Sequence, residues 1–124
     1  MTVTTPFTIP AGSSGVYFQD NQLQSRKDLA ADLPYCHFAL ATSTPKALTV
    51  GPQTFMVTTM EYDEDAGPHG GFSSVTRINL ENGKLAKPPH LSCRLPGTAG
   101  SRRFVTPAEI RGAMDAYFDL KVSQ

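Results

Sequence analysis

The two cysteines of this chain, Cys36 and Cys93, constrain its fold more than any other feature. Each sits in an alternating segment. In Tyr35-Cys-His-Phe-Ala-Leu40 the even positions Cys36, Phe38 and Leu40 share one face of an extended strand; in Leu91-Ser-Cys-Arg-Leu95 the odd positions Leu91, Cys93 and Leu95 do the same. Both sulfurs are therefore expected to point into the core. Neither belongs to a CxxC pair, and two cysteines with three scattered histidines do not make a standard structural zinc site. Two readings remain: a Cys36–Cys93 disulfide, which the inward settings favour, or two buried thiols acting as small apolar side chains. If the two strands pair or face each other, the bond closes a loop of about 58 residues, for which chain entropy gives about 4 kcal/mol of stabilisation.

With 124 residues, 40% of them apolar, one core and one domain are expected. That domain is placed over residues 6–120, with residues 1–5 as a disordered tail and 121–124 as a C-terminal tail. Eleven Lys and Arg balance eleven Asp and Glu, so no net field draws the chain to nucleic acid or to an anionic membrane. No stretch approaches the roughly 18 apolar residues that cross a bilayer. Met1 to Phe7 hold neither a positive n-region nor an apolar h-region, which fits a soluble chain or a mature exported domain. A monomer is the expected state.

Along the chain, Phe7-Thr-Ile9 reads as a short strand ended by Pro10, and Ala-Gly-Ser-Ser-Gly at 11–15 as a turn before Val16-Tyr-Phe18. Asp28 to Leu33 has room for one helical turn before Pro34 stops it. Gln53 to Tyr62 is the longest β signal, with Phe55 and Val57 on one face and Met56, Met60 and Tyr62 on the other. Such a two-sided strand is expected at the centre of a sheet. Asp63 to Gly71 then forms an acidic, glycine-rich loop, Phe72 to Leu80 returns as a strand, and Asn82-Gly83 signals a type I′ hairpin.

Thr106, Pro107 and Glu109 stand at the N-cap, N1 and N3 positions of a helix, a capping box, with Val105 and Ile110 spaced as a hydrophobic staple. Ile110, Ala113, Met114, Tyr117 and Phe118 follow at helical spacing, so a helix over 106–119 should lay this stripe on a sheet. The resulting expectation is an α+β fold: a curved antiparallel β-sheet of five to seven strands, or a partly closed barrel, covered by one C-terminal helix and holding one disulfide. A β-sandwich with a peripheral helix is the alternative.

Pro34-Tyr-Cys36 with its alternating strand, Leu91-Ser-Cys93, and the run from Val105 to Leu120 together resemble a family of small exported proteobacterial proteins. Many of its members are envelope lipoproteins of unassigned function. The resemblance covers most of residues 6 to 120. It implies a periplasmic or outer-membrane-associated location with oxidised cysteines, and it brings no catalytic residues. The chain departs from the lipoprotein members in carrying no acylation cysteine at its start.

The residues that carry chemistry each have a plain structural reading. Asp63, Glu64, Asp65 and His69 offer oxygen and nitrogen ligands but lack EF-hand spacing, and a solvated loop explains them. His37, His69 and His90 have no metal-binding spacing, and His37 falls on the face opposite Cys36, where solvent is expected. A thiolate nucleophile from Cys36 or Cys93 would need a base beside it, and both point inward. Gly12-Ser-Ser-Gly15 lacks the G-x-S-x-G pattern and is a turn. Arg94, Arg102 and Arg103 form a basic patch suited to an anion or an acidic partner. No catalytic residue, metal or cofactor is assigned. The expected role is non-enzymatic: a cell-envelope domain binding an unknown envelope protein, lipid or cell-wall component. The alternative is a small hydrolase or redox enzyme using a cysteine or the acidic loop 63–71.

Overall fold

In a computed structural model of the chain, residues 1–30, 33–40, 42–66, 72–81, 89–96 and 106–119 are described. Short strands β1 (Thr2–Val3), β2 (Phe7–Ile9), β3 (Gly15–Gln19) and β4 (Gln22–Gln24) lead to a single 3-10 turn, Arg26–Asp28. Strands β5 (Tyr35–Ala39), β6 (Leu48–Val50), β7 (Met56–Ala66), β8 (Phe72–Glu81) and β9 (His90–Pro96) follow, then helix α1 (Pro107–Met114) and β10 (Phe118–Asp119). Six of them form one antiparallel sheet in the order β4-β3-β5-β9-β8-β7. This sheet is open. Two ribbons, β1 with β10 and β2 with β6, accompany it. The architecture is the expected α+β one, a mostly antiparallel sheet with one helix near the C-terminus and a Cys36–Cys93 bond.

Sheet register explains why the cysteines meet. Leu40 N–H donates to the Ser14 carbonyl, so the even residues of β5 turn their backbone groups toward β3. Cys36 therefore faces β9 at a position without ladder hydrogen bonds, where side chains lie closest. There it stands directly opposite Cys93, with Cα atoms 4.0 Å apart. The disulfide lies in the row Phe18, Cys36, Cys93, Thr76, beside the row Val16, Phe38, Leu91, Ile78. These rows are the floor of the core. Its other walls come from Val3, Phe7 and Ile9, from Phe55, and from Ile110, Ala113, Met114 and Phe118.

The capping box is formed: Thr106 Oγ1 accepts from Glu109 N–H, and the Glu109 carboxylate accepts from Thr106 N–H. Val105, the other half of the staple, lies outside the described residues. Thr106→Ala removes one acceptor and should lower stability by about 1 kcal/mol. Chemical denaturation should show this as a lower midpoint with an unchanged slope; an unmoved midpoint would mean that the cap contributes nothing.

Several expectations need correction. The helix ends at Met114, not 119. Its last turn is captured by the β3–β4 hairpin, where Asp20 and Asn21 take φ of 52° and 60°. Asn21 N–H donates to the Ala113 carbonyl and Asn21 Oδ1 accepts from Ala116 N–H, which satisfies helix-end groups and frees the chain to extend as β10. Residues 1–5 are not a disordered tail. Val3 is wholly buried, β1 pairs with β10, and Thr4 and Thr5 donate to the Tyr117 carbonyl. The long strand starts at Met56 rather than Gln53, runs to Ala66, and is an edge of the sheet, not its centre. Met56 is 67% exposed because the face beyond it meets water. Asp63, Glu64 and Asp65 thus belong to β7, paired with Val75, Ser74 and Ser73, and not to a loop. Residues 67–71 and the Asn82-Gly83 turn lie outside the described residues. The helical turn expected over 28–33 is instead the 3-10 turn at Arg26–Asp28.

Candidate functional site

The face of the sheet opposite the disulfide carries the odd-numbered residues of β3 and β5. Pairing sets Gln24, Tyr17, His37, Ser92, Arg77 and Glu61 in one cross-strand row, and Tyr35, Arg94 and Val75 in the next. Part of this face is dry. Tyr35, Val75 and Leu29 are buried yet lie outside the main core cluster. The β4–β5 connection is tied to this side by buried Gln19, whose amide donates to the Ala30 and Leu33 carbonyls at 3.0 and 3.1 Å while its oxygen accepts from Ala30 N–H at 2.7 Å. Every polar group of Gln19 is thereby used, as burial demands.

Tyr17 and His37 stack face to face, with ring centres 4.3 Å apart and planes 10° from parallel. Gly15 makes this arrangement fit: a Cβ there would strike the Phe38 carbonyl and come within 2.8 Å of His37 Nε2. His37 is half-buried rather than solvent-facing as its sequence setting suggests. Burial, first, and then the positive fields of His90, Arg94 and Arg26 lower its pKa from 6.5 to about 4. The imidazole is neutral at neutral pH. Tyr35 hydroxyl is buried without a hydrogen-bond partner among the described residues, and burial raises its pKa while neighbouring Arg94 opposes that shift.

His37 makes stability depend on pH. The unfolded chain takes up this proton near its ordinary 6.5, the folded chain only near 4. The contribution is complete above about pH 6.5, declines as pH falls toward about 4, and is constant below that. A full separation of this size corresponds to about 3 kcal/mol, and water around a half-buried ring reduces it to about 1–2 kcal/mol. Urea midpoints measured between pH 7 and 4 should fall accordingly, and His37→Phe should flatten that part of the profile. A ring-proton titration of His37 with its midpoint near 6.5 would overturn this.

A groove of about 390 Å³ adjoins the stack. It runs where β3 continues beyond the end of β4, so that Gly15 and Val16 have no strand beside them on that edge. Pro10, Ser13, Tyr17, Gln24, Ser25 and Arg26 are among its lining residues. Ser13 Oγ donates to the Gly15 carbonyl at 2.8 Å, which satisfies the edge locally. Ser25 Oγ donates to the Asp28 carboxylate at 2.6 Å. The Arg26 side chain is exposed, and among the described residues it has no hydrogen-bond or ion-pair partner and no acidic side chain lines the groove.

Of the basic patch read from the sequence, Arg94 is half-buried in the row beside Tyr35, while Arg102 and Arg103 lie outside the described residues. His90 is exposed on β9, and His69 is outside the described residues. Cys36 and Cys93 are joined, and no free cysteine remains. Among the described residues no group of three or more His, Cys, Asp or Glu converges as metal ligands do, and no helix is long and apolar enough to cross a membrane. Sequence reasoning missed Tyr17, Gly15 and Arg26. Their alternation marks Tyr17 as outward, but its meeting with His37 depends on register, and nothing in the local pattern brings Arg26 back over that face. Compared with known protein families, curated proteins and solved structures, the chain matches none.

Proposed function

We propose that this chain is a non-enzymatic binding domain of the cell envelope, acting in the periplasm or at the outer-membrane surface and meeting its ligand at the Tyr17–Arg26 groove. The observation that carries the binding role is the groove itself. It joins the stacked Tyr17 ring to a guanidinium that has no partner among the described residues, at the edge of the sheet that β3 leaves open beyond β4. Two further points support the location. A disulfide between core cysteines suits an oxidising compartment, and the Cys36 and Cys93 segments resemble exported proteins. Of the rival reading, a small hydrolase or redox enzyme using a cysteine or the acidic segment 63–71, the cysteine-hydrolase form requires a thiolate, and both sulfurs are buried in a bond. Amide NMR spectra of the isotope-labelled chain, recorded with and without soluble cell-envelope extract, test the proposal. Saturable shifts centred on Gly15, Tyr17 and residues 24–26 are expected. Unchanged spectra, or shifts confined to other surfaces, would overturn the placement of the site.

A further inference from the structure

We propose that the groove beside β3 is a binding site for an anionic sugar, with the charged group on Arg26 and the sugar ring against Tyr17. This deepens the binding role given above and rests on it. Three features of the lining select the chemistry. First, Arg26 is the cation among the described lining residues and has no partner among them, so a ligand carboxylate or phosphate would meet a guanidinium that need not abandon an ion pair with them. Asp28, two residues on, accepts from Ser25 Oγ and forms no ion pair with Arg26.

Second, the remaining polar lining is neutral. Ser13 and Ser25 give their hydroxyl protons to the Gly15 carbonyl and the Asp28 carboxylate, Thr8 shares its hydroxyl with Thr49 and Gln24 donates one amide hydrogen to Gln22, so this lining offers mainly oxygen acceptors, which suit the hydroxyl protons of a sugar. Third, Tyr17 is held in one orientation by its stack on His37, and Pro10 and Leu23 extend the apolar surface around it. A ring with C–H faces fits such a wall, whereas a bare inorganic anion would leave it unused. Leu23 is 40% exposed, so part of that surface is open to water without a ligand. Gly15, also in the lining, has no room for a Cβ beside the Phe38 carbonyl and the His37 ring. The volume, about 390 Å³, lies within the range of small-molecule sites, roughly 300–1,000 Å³.

The full chain is titrated, with amide NMR as readout, against D-glucuronate, glucose 6-phosphate, glucose and inorganic phosphate. Both sugar anions should give saturable shifts at Gly15, Tyr17 and Arg26. Glucose and phosphate should each bind about tenfold more weakly, since each lacks one half of the contact. Comparing glucuronate with glucose 6-phosphate tells whether carboxylate or phosphate is preferred. Arg26→Gln should lower affinity for the sugar anions about tenfold, leave glucose unaffected and leave the melting temperature unchanged, because the side chain is exposed. The proposal is overturned if neither sugar anion saturates, if phosphate binds as well as they do, or if Arg26→Gln changes nothing. Envelope extract that shifts these residues while sugar anions do not would sink the ligand class and spare the binding role. Silence in both experiments would sink both.

Discussion

Reduction of the native protein should lower its melting temperature by about 10–20 °C. The bond joins residues separated by 57 positions, and losing such a crosslink from a small domain typically costs 2–5 kcal/mol out of a total of roughly 5–15 kcal/mol. For a chain of this length each kcal/mol moves the midpoint by about 3–6 °C. Most of the loss acts on the unfolded state, because Cys36 and Cys93 sit opposite each other in the ladder and β5 and β9 stay paired by backbone hydrogen bonds when the sulfurs separate. Reduced thiols would remain buried as small apolar groups. Substitution by serine is a harsher change, since both sites are almost fully buried and each hydroxyl would need a partner there. Cys36→Ala/Cys93→Ala is therefore the better companion experiment and should resemble reduction plus a small cavity cost. Intact mass gives the direct reading: the oxidised chain is about 2 Da lighter than the dithiol and resists alkylation until reduced. Double alkylation of native protein, with one melting temperature in both redox states, would refute the bond.

Phe118→Ala should be at least as damaging, at about 3–5 kcal/mol. Its ring is buried and meets Phe7, Phe18 and Phe38 at 5.4, 5.3 and 5.8 Å between centres, all within the range of favourable aromatic pairs. It is where β10, the sheet and β2 converge, so truncation leaves a cavity that rigid strands on several sides cannot close. Tyr117→Ala, at a half-buried position, should cost clearly less. A straight helix through 119 would place both residues on the buried stripe and make the two losses similar. Thermal melts of the two variants thus separate a helix that ends at Met114 from one that continues. Equal losses would count against β10.

Some of this was legible in the residues. Alternation around Cys36 and Cys93 set which face each sulfur takes, since a strand's side chains switch faces at every residue. Thr106, Pro107 and Glu109 set the start of α1, because a capping box is satisfied by groups three residues apart. Gln53 to Tyr62 was legible as a strand but not as an edge. Edge and centre differ in which neighbours arrive, and Met56 looks the same in sequence whether water or another layer lies above it. The end of α1 was hidden for a similar reason. Ile110 to Phe118 keeps helical spacing throughout, and only Asn21, nearly a hundred residues away, supplies the hydrogen bonds that let the chain leave the helix.

The candidate site was the least legible part. Gly15, Tyr17, Arg26 and His37 belong to two strands and a turn whose separate patterns read as structural. Their union requires the Tyr17–His37 register, the missing Cβ at Gly15 and the path of the β4–β5 connection held by Gln19. The sequence by itself determined local periodicity, one helix cap and the inward aim of two cysteines, because those follow from interactions within a few residues. Tertiary structure alone decided the strand order, the helix end and the groove, because each depends on contacts between segments far apart in the chain, and short-range preferences do not encode which distant partner arrives.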